Sequence, residues 1–387
     1  MALGHLLSIV IPTKERQEQC VATVRSVLAF DDPFELIVFD SSADGTLLER
    51  ALRELADERV RHLHVPALAN MTQCFEQAVS TATGEYICMI GDDDGVTRAL
   101  FEWARCARNR GLSSVTSDPR LYASYNWPGI RSKYFGAAAS GKLFVRLEEG
   151  GGTQIIDARS QVSGFLQSAG QGCGLMPRVY HGLVARSVLA DMRSAAGRCF
   201  DGVSPDVSFS YLSANFSPRH AIVNVPLTIS GASVVSNAGR SAMRQHKGDL
   251  WSDPHMRGYA GEPWPDEVPQ FFSVETVWGQ ATLAAIDRLD GKQRRFFNFP
   301  RFYALLLIRH PDRWRQILGS LRMARGTGLA RSVPTTGRVL LEHVGAAAVK
   351  LVRRVYPDRQ VQTFEADTIE AASAIVDGLL RGRAGIS

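Results

Sequence analysis

The sequence predicts an α/β protein in which a mostly parallel sheet is flanked by helices and followed by a C-terminal helical appendage. Three observations lead there. Short apolar segments alternate with helical periodicity through residues 6–110, polar residues stand at the carboxyl end of each such segment, and the last third turns to helical patterning rich in Arg.

Taken in order, residues 6–11 form an apolar strand ending at Pro12-Thr13. A helix over 18–30 follows, with Val21, Val24, Val27 and Leu28 at helical spacing. Residues 34–39 make a second strand ending at Asp40-Ser41-Ser42, and Asp44-Gly45 turns the chain into a helix over 47–56. A strand at 60–65, a helix at 71–81, a strand at 86–90 and a helix at 97–109 complete the alternation. Short connections between parallel strands and helices call for a sheet covered on its faces.

Beyond Gly111 the pattern weakens. Residues 113–116 read as a strand, 121–174 as mobile loops rich in Gly, Ser and aromatics, 207–215 as a helix and 221–229 as one strand. Residues 246–269 read as a connector, and helices are expected at 271–289, 296–309, 314–325, 339–355 and 368–380. The domain assignment is therefore 1–250 for the α/β body, divided into halves 1–115 and 116–250, with 251–387 as connector and helical region.

A chain of 387 residues with 45% hydrophobic content can bury a large core. No apolar run is long enough to span a membrane and the N-terminus lacks a secretory pattern, so the chain is expected in the cytoplasm. Six cysteines without a C-x-x-C pair are expected to be reduced. Net charge is +5, yet residues 292–387 carry 17 Lys and Arg against 7 Asp and Glu, a balance of +10 that leaves −5 for the rest. The basic amphipathic helices at 314–325 and 339–355 suit peripheral contact with an anionic membrane face, or equally packing onto the body or onto a second copy in a homodimer.

The apolar strand at 86–90 stops at three consecutive carboxylates, Asp92, Asp93 and Asp94. A buried parallel strand delivers the residues after it to the ligand-binding edge of the sheet. Adjacent aspartates repel one another unless a cation or donors offset their charge, and hard divalent cations combine carboxylate with phosphate oxygens. The cluster therefore points to a metal and diphosphate site. A solvated turn capping the next helix is the plainer alternative, but a cap needs one aspartate.

Taken together, Leu7-Ser8-Ile9-Val10-Ile11-Pro12-Thr13, then Glu35 to Asp40 followed by Asp44-Gly45, then Gly84-Glu85-Tyr86-Ile87 leading to the aspartates, resemble the family 2 glycosyltransferases of GT-A (Rossmann-like) fold. The resemblance implies inverting transfer of a sugar from a nucleotide diphosphate sugar to an acceptor hydroxyl, assisted by Mg²⁺ or Mn²⁺, in the making of a surface polysaccharide or related glycan, with a glycan or lipid-linked acceptor and no nucleic acid partner. By the same resemblance Pro12, Thr13 and Glu15 line the base and ribose pocket, with Asp40 and Ser41 at the second strand end. Asn70 and Gln73 touch base or diphosphate, Asp92 approaches ribose or metal, and Asp93, with Asp94, binds the metal. Lys14-Glu15 and Ser41 depart from the common pattern, and Gly91 stands where many relatives carry an acid.

Asp206 in Ser204-Pro205-Asp206-Val207 has the setting of the family's catalytic base, although the same four residues also make an ordinary helix start. His181 is read as a structural histidine, with acceptor contact as the alternative, and His246 and His255 are weak candidates for a further metal ligand. Two other classes remain: a sugar nucleotidyltransferase, which would show a glycine-rich loop after the first strand where this chain has Pro12-Thr13-Lys14-Glu15-Arg16, and a non-catalytic nucleotide- or sugar-binding protein of the same fold.

Overall fold

The computed structural model describes residues 4–66, 68–131, 137–147, 152–236, 248–324, 337–342, 344–345 and 360–382. Its strands are β1 (Leu7–Thr13), β2 (Glu35–Asp40), β3 (Val60–His64), β4 (Tyr86–Met89), β5 (Gly95–Val96), β6 (Ser114–Ser117), β7 (Tyr122–Asn126), β8 (Lys142–Arg146), β9 (Gln154–Ile156), β10 (Gly182–Ala185), β11 (His220–Val223), β12 (Thr228–Ala232) and β13 (Val361–Glu365). The principal helices are α1 (Gln17–Leu28), α2 (Thr46–Leu55), α3 (Met71–Ser80), α4 (Arg98–Arg110), α5 (Arg159–Gln167), α6 (Arg186–Ala196), α7 (Pro205–Ala214), α8 (Val274–Leu289), α9 (Phe299–Arg309), α10 (Trp314–Met323) and α11 (Ile369–Arg381).

An eight-stranded sheet runs in the order β3-β2-β1-β4-β10-β6-β11-β9. Its first four strands are parallel, as the alternation of apolar segments with helices requires, whereas β10 is antiparallel to both of its neighbours. Strands β1, β2 and β4 are buried along their whole length, which is why they read as continuous apolar runs. A second sheet, β13-β8-β7-β12-β5, lies beyond the carboxyl end of β4.

Three expectations are corrected. Residues 121–174 are not simply a set of mobile loops: they contain β7, β8, β9 and α5, and β8 alternates Lys-Leu-Phe-Val-Arg with Leu143 and Val145 in the core of the second sheet. The strand expected at 221–229 is two strands in different sheets, separated at Pro226, which lacks the N–H a continuous ladder would use. The C-terminal region is not helical throughout, because β13 pairs antiparallel with β8 from Val361↔Arg146 to Glu365↔Lys142. A five-residue edge strand reading Val-Gln-Thr-Phe-Glu has no apolar run to announce it, and only its partner defines it.

Nor does this region stand apart from the body. Ile369, Ala372 and Val376 of α11 pack among Tyr125, Leu143 and Ile229. Phe302 and Leu306 of α9 and Ile317 and Leu321 of α10 join the main core. Packing therefore accounts for Ile317 and Leu321 on the apolar face of α10, while Trp314 stays half exposed. The other basic amphipathic segment, 339–355, falls largely outside the described residues. Among the described residues, no helix is long and apolar enough to cross a membrane. All six cysteines are free.

Candidate functional site

A cavity of about 520 Å³ opens at the carboxyl ends of β1, β2 and β4. Pro12, Thr13 and Ser41 come from the strand ends, Asn70 from the cap of α3 and Phe75 from α3 itself, and Asp93 from the turn after β4. Pro254, His255 and Arg257 close the opposite wall, and Lys14 and Arg16 bring positive charge. The size suits a small-molecule ligand, and the position is the one at which open α/β sheets bind ligands.

The three aspartates have three different environments. Asp92 is fully buried: Thr13 Oγ1 donates to its Oδ2 at 2.6 Å, and Arg16 Nη2 lies 2.7 Å from its Oδ1. Burial pushes its pKa up to about 7, with Arg16 and Thr13 opposing and the other two aspartates adding. Asp93 lines the cavity; its Oδ2 accepts from the Ser233 N–H at 2.9 Å, and its Oδ1 lies 3.7 Å from Arg16 Nη1. Its pKa is also raised, by burial first and by Asp94 second.

Asp94 turns inward. Its Oδ2 accepts from the Gly91 N–H at 2.6 Å and from the Tyr180 hydroxyl at 2.9 Å, and its Oδ1 accepts from the Gly231 N–H at 2.6 Å. Every oxygen of this carboxylate already has a donor, so its geometry is that of a brace between β4, the segment before β10, and β12. The same geometry explains Gly91: a Cβ there would stand 2.7 Å from the Tyr180 hydroxyl and 2.9 Å from Asp94 Oδ2. A side chain at 91 and an inward Asp94 exclude one another.

The other predicted residues divide into cavity wall and scaffold. Asn70 does both: it caps α3 by accepting from the Gln73 N–H at 2.9 Å and donates to the Gly258 carbonyl at 3.0 Å. Gln73 is exposed and accepts from the Ala69 N–H at 3.3 Å, a capping role outside the cavity wall. Glu15 sits at φ +56° and accepts from the Ala43 N–H at 2.7 Å, which ties the loop after β1 to the loop after β2. Asp40 is buried beneath the wall, accepting from the Ser42 N–H at 2.8 Å, with His62 Nε2 3.5 Å from its Oδ2.

Asp206 begins α7 and does not line this cavity. Ser204 forgoes the capping role and donates its hydroxyl to Asp206 Oδ1 at 2.7 Å, which orients the carboxylate. The preceding loop is stitched to the cavity walls: Thr72 Oγ1 donates to the Gly202 carbonyl at 2.7 Å, and His255 Nε2 lies 2.6 Å from the Val203 carbonyl. That contact engages the His255 nitrogen in structure. His181, at φ +64°, contacts Thr228 Oγ1 at 2.7 Å and Asp94 Oδ2 at 3.3 Å, so both ring nitrogens have partners within the fold, and burial lowers its pKa. His246 lies outside the described residues.

This strand order, with an aspartate presented to a cavity at the carboxyl end of β4, invites comparison with known proteins. Residues 8–102 match the family model for glycosyl transferase family 2. The chain is also 34% identical over 96 residues to the putative colanic acid biosynthesis glycosyl transferase WcaA of Escherichia coli (strain K12). The match covers 24% of this chain and 34% of the relative, so it spans about a third of the relative's length. Among solved structures, residues 1–349 of S. aureus TarS in complex with UDP-GlcNAc align at 13% identity with a TM-score of 0.46, covering 82% of this chain and 91% of that one. The mannosyltransferase PcManGT from Pyrobaculum calidifontis, in complex with GDP-Man and Mn²⁺, aligns at 14% identity with a TM-score of 0.42, covering 96% and 86%.

The family 2 segment holds Thr13, Asp92, Asp93 and Asn70, but other parts of the site lie outside it. Arg16 is inside the segment, yet nothing local says that a loop arginine folds back onto an aspartate 76 positions on. Tyr180, Gly231, Ser233 and Arg257 come from beyond residue 102 and reach the site only through the fold.

Proposed function

We propose that this chain is a glycosyltransferase that moves a sugar from a nucleotide diphosphate sugar to an acceptor hydroxyl with inversion, in the making of a surface polysaccharide or related glycan. The observation that carries the proposal is Asp93, a cavity-lining carboxylate at the carboxyl end of β4 with Lys14, Arg16 and Arg257 on the same walls. This combination suits a diphosphate, whose charge needs both a metal and basic side chains.

Among the described residues, no group of three or more His, Cys, Asp and Glu could hold a metal ion alone. Mg²⁺ is commonly held by one or two carboxylates with substrate phosphate oxygens and water, so a full protein cage is not required. Asp93 fits that role, and Asp92 Oδ1, buried without a well-directed hydrogen bond, is a second acceptor beside it. Mg²⁺ or Mn²⁺ bound there would offset the charge that develops on the departing nucleoside diphosphate. Asp94, with its oxygens already satisfied, is proposed to brace the site and not to bind metal.

Pro12, Thr13, Ser41 and Asn70 are proposed to hold the nucleoside, and Lys14 and Arg257 the phosphates. Asp206, oriented by Ser204, is proposed to take the proton of the acceptor hydroxyl as its oxygen bonds to the anomeric carbon and the bond from that carbon to the diphosphate oxygen breaks. The acceptor class, glycan or lipid-linked, is proposed with peripheral membrane contact through the basic face of α10, where Trp314 and Met323 are exposed.

Thermal unfolding with a panel of nucleoside diphosphates and nucleotide sugars, with and without Mn²⁺, tests the donor site. Stabilisation by one nucleotide family that Asp93→Ala abolishes is the expected result. A panel with no shift overturns the proposal, and near-full turnover by Asp206→Asn at saturating substrates removes the base assignment.

A further inference from the structure

We propose that Arg16 is the resident cation of the aspartate cluster. In the nucleotide-free protein it stands between Asp92 and Asp93, suppresses divalent-cation binding, and releases the pair when a diphosphate offers its guanidinium a better partner. This inference rests on the donor-site proposal above and adds an order of events to it.

The geometry points to a displaceable cation and not to a permanent bridge. Arg16 Nη2 lies 2.7 Å from Asp92 Oδ1 and Nη1 lies 3.7 Å from Asp93 Oδ1, so one guanidinium faces both carboxylates that a metal would use. Yet Arg16 Nη1 and Asp92 Oδ1 are both buried without a well-directed hydrogen bond. The contact is ionic and poorly aligned, unlike the two parallel bonds of an arginine–carboxylate fork. A guanidinium held mainly by charge can be exchanged for a second cation plus an anion without the loss of directed bonds.

The backbone beneath it is fixed. Glu15 is held in the left-handed region at φ +56°, its N–H donates to Ser42 Oγ at 2.8 Å, and its carboxylate accepts from the Ala43 N–H at 2.7 Å. Helix α1 starts immediately after Arg16. A rigid base with a long side chain that is 23% exposed at the cavity wall lets the head group turn from carboxylate to phosphate, which it fits bidentately. A positive charge already at the carboxylates repels an incoming divalent ion, so a bare metal meets a weakened site. When the diphosphate draws Arg16 away, its own oxygens complete the ligand set and the repulsion falls.

Mn²⁺ titrated alone into the protein and followed by electron paramagnetic resonance is the test. The wild type should bind weakly, Arg16→Gln about tenfold or more tightly, and Arg16→Lys, which keeps the charge, close to the wild type. UDP and GDP, added in turn and corrected for Mn²⁺ held by free nucleotide, should tighten Mn²⁺ binding by wild type with at least one of them. Equal Mn²⁺ affinity of wild type and Arg16→Gln without nucleotide overturns the role of Arg16 and leaves the donor site standing. Should Arg16→Gln fail to fold, the wild type decides: Mn²⁺ binding of equal strength with and without both nucleotides overturns the inference. No Mn²⁺ binding by any of these proteins under any condition overturns the inference and the metal-assisted donor site together.

Discussion

The Asp377 carboxylate accepts a hydrogen bond from the Arg98 N–H at 2.9 Å and so caps helix α4 from 279 residues away. Thr97, the residue in the capping position, makes no side-chain cap, and its hydroxyl donates to the Pro226 carbonyl at 2.8 Å. Helix α4 follows directly on the aspartate turn and β5, and α11 packs closely on that strand: a Cβ on Gly95 would stand 3.1 Å from Ser373 Oγ and 3.2 Å from Ile369 Cδ1. The C-terminal segment therefore caps the helix that follows the turn carrying Asp93.

Replacing Asp377 with Ala removes a cap and leaves a helix N–H without its partner. A loss of about 1 kcal/mol is expected, read as a lower unfolding midpoint in urea with an unchanged slope. Asp377→Asn, which keeps an acceptor oxygen, should recover much of it.

Asp93 and Asp94 should separate cleanly. Asp93→Asn keeps an acceptor for the Ser233 N–H and removes a buried charge, so stability should hold while turnover falls by about 100-fold, in line with loss of electrostatic stabilisation at a leaving group. Asp94→Asn turns one of the two acceptor oxygens into an NH₂ that faces the N–H of either Gly91 or Gly231, and should cost about 2–3 kcal/mol. Chemical denaturation and initial rates measured on both variants check this.

Gly231→Ala tests how closely β12 approaches the cluster. A Cβ at 231 would stand 1.7 Å from the Asp93 carbonyl oxygen, a backbone atom that cannot move alone. A loss of about 3 kcal/mol is expected, together with loss of the Mn²⁺-dependent thermal shift.

Acid should weaken the junction between α8 and the segment after α9. Burial by itself would raise the Glu275 carboxyl, but hydrogen bonds from His310 and Arg309 outweigh it and hold its pKa down to about 2. The folded value lies below the ordinary glutamate value of 4.5, so this contribution is present above about pH 4.5 and is lost as pH falls toward 2. Glu275→Gln should flatten the fall in stability across that window, as measured by urea unfolding at pH values from 2 to 6.

Local sequence was enough to define the parallel half of the sheet and to point to the edge at which the candidate site's cavity opens. Strands β1, β2 and β4 are buried on both faces, and burial on both faces writes an unbroken apolar run that ends where the chain meets the cavity. The aspartate triplet stood out for the same reason, since three adjacent carboxylates directly after such a run are unusual, although Asp94 proves to be engaged within the fold. How the triplet divides its work is fixed only in the folded chain. Asp92, Asp93 and Asp94 are chemically identical, and their difference comes from donors at Thr13, Arg16, Ser233, Tyr180 and Gly231, which folding alone brings together. The same holds for β13 and Asp377: a polar edge strand and a distant cap acquire their meaning from partners more than 200 residues away, and no local pattern encodes a partner at that range.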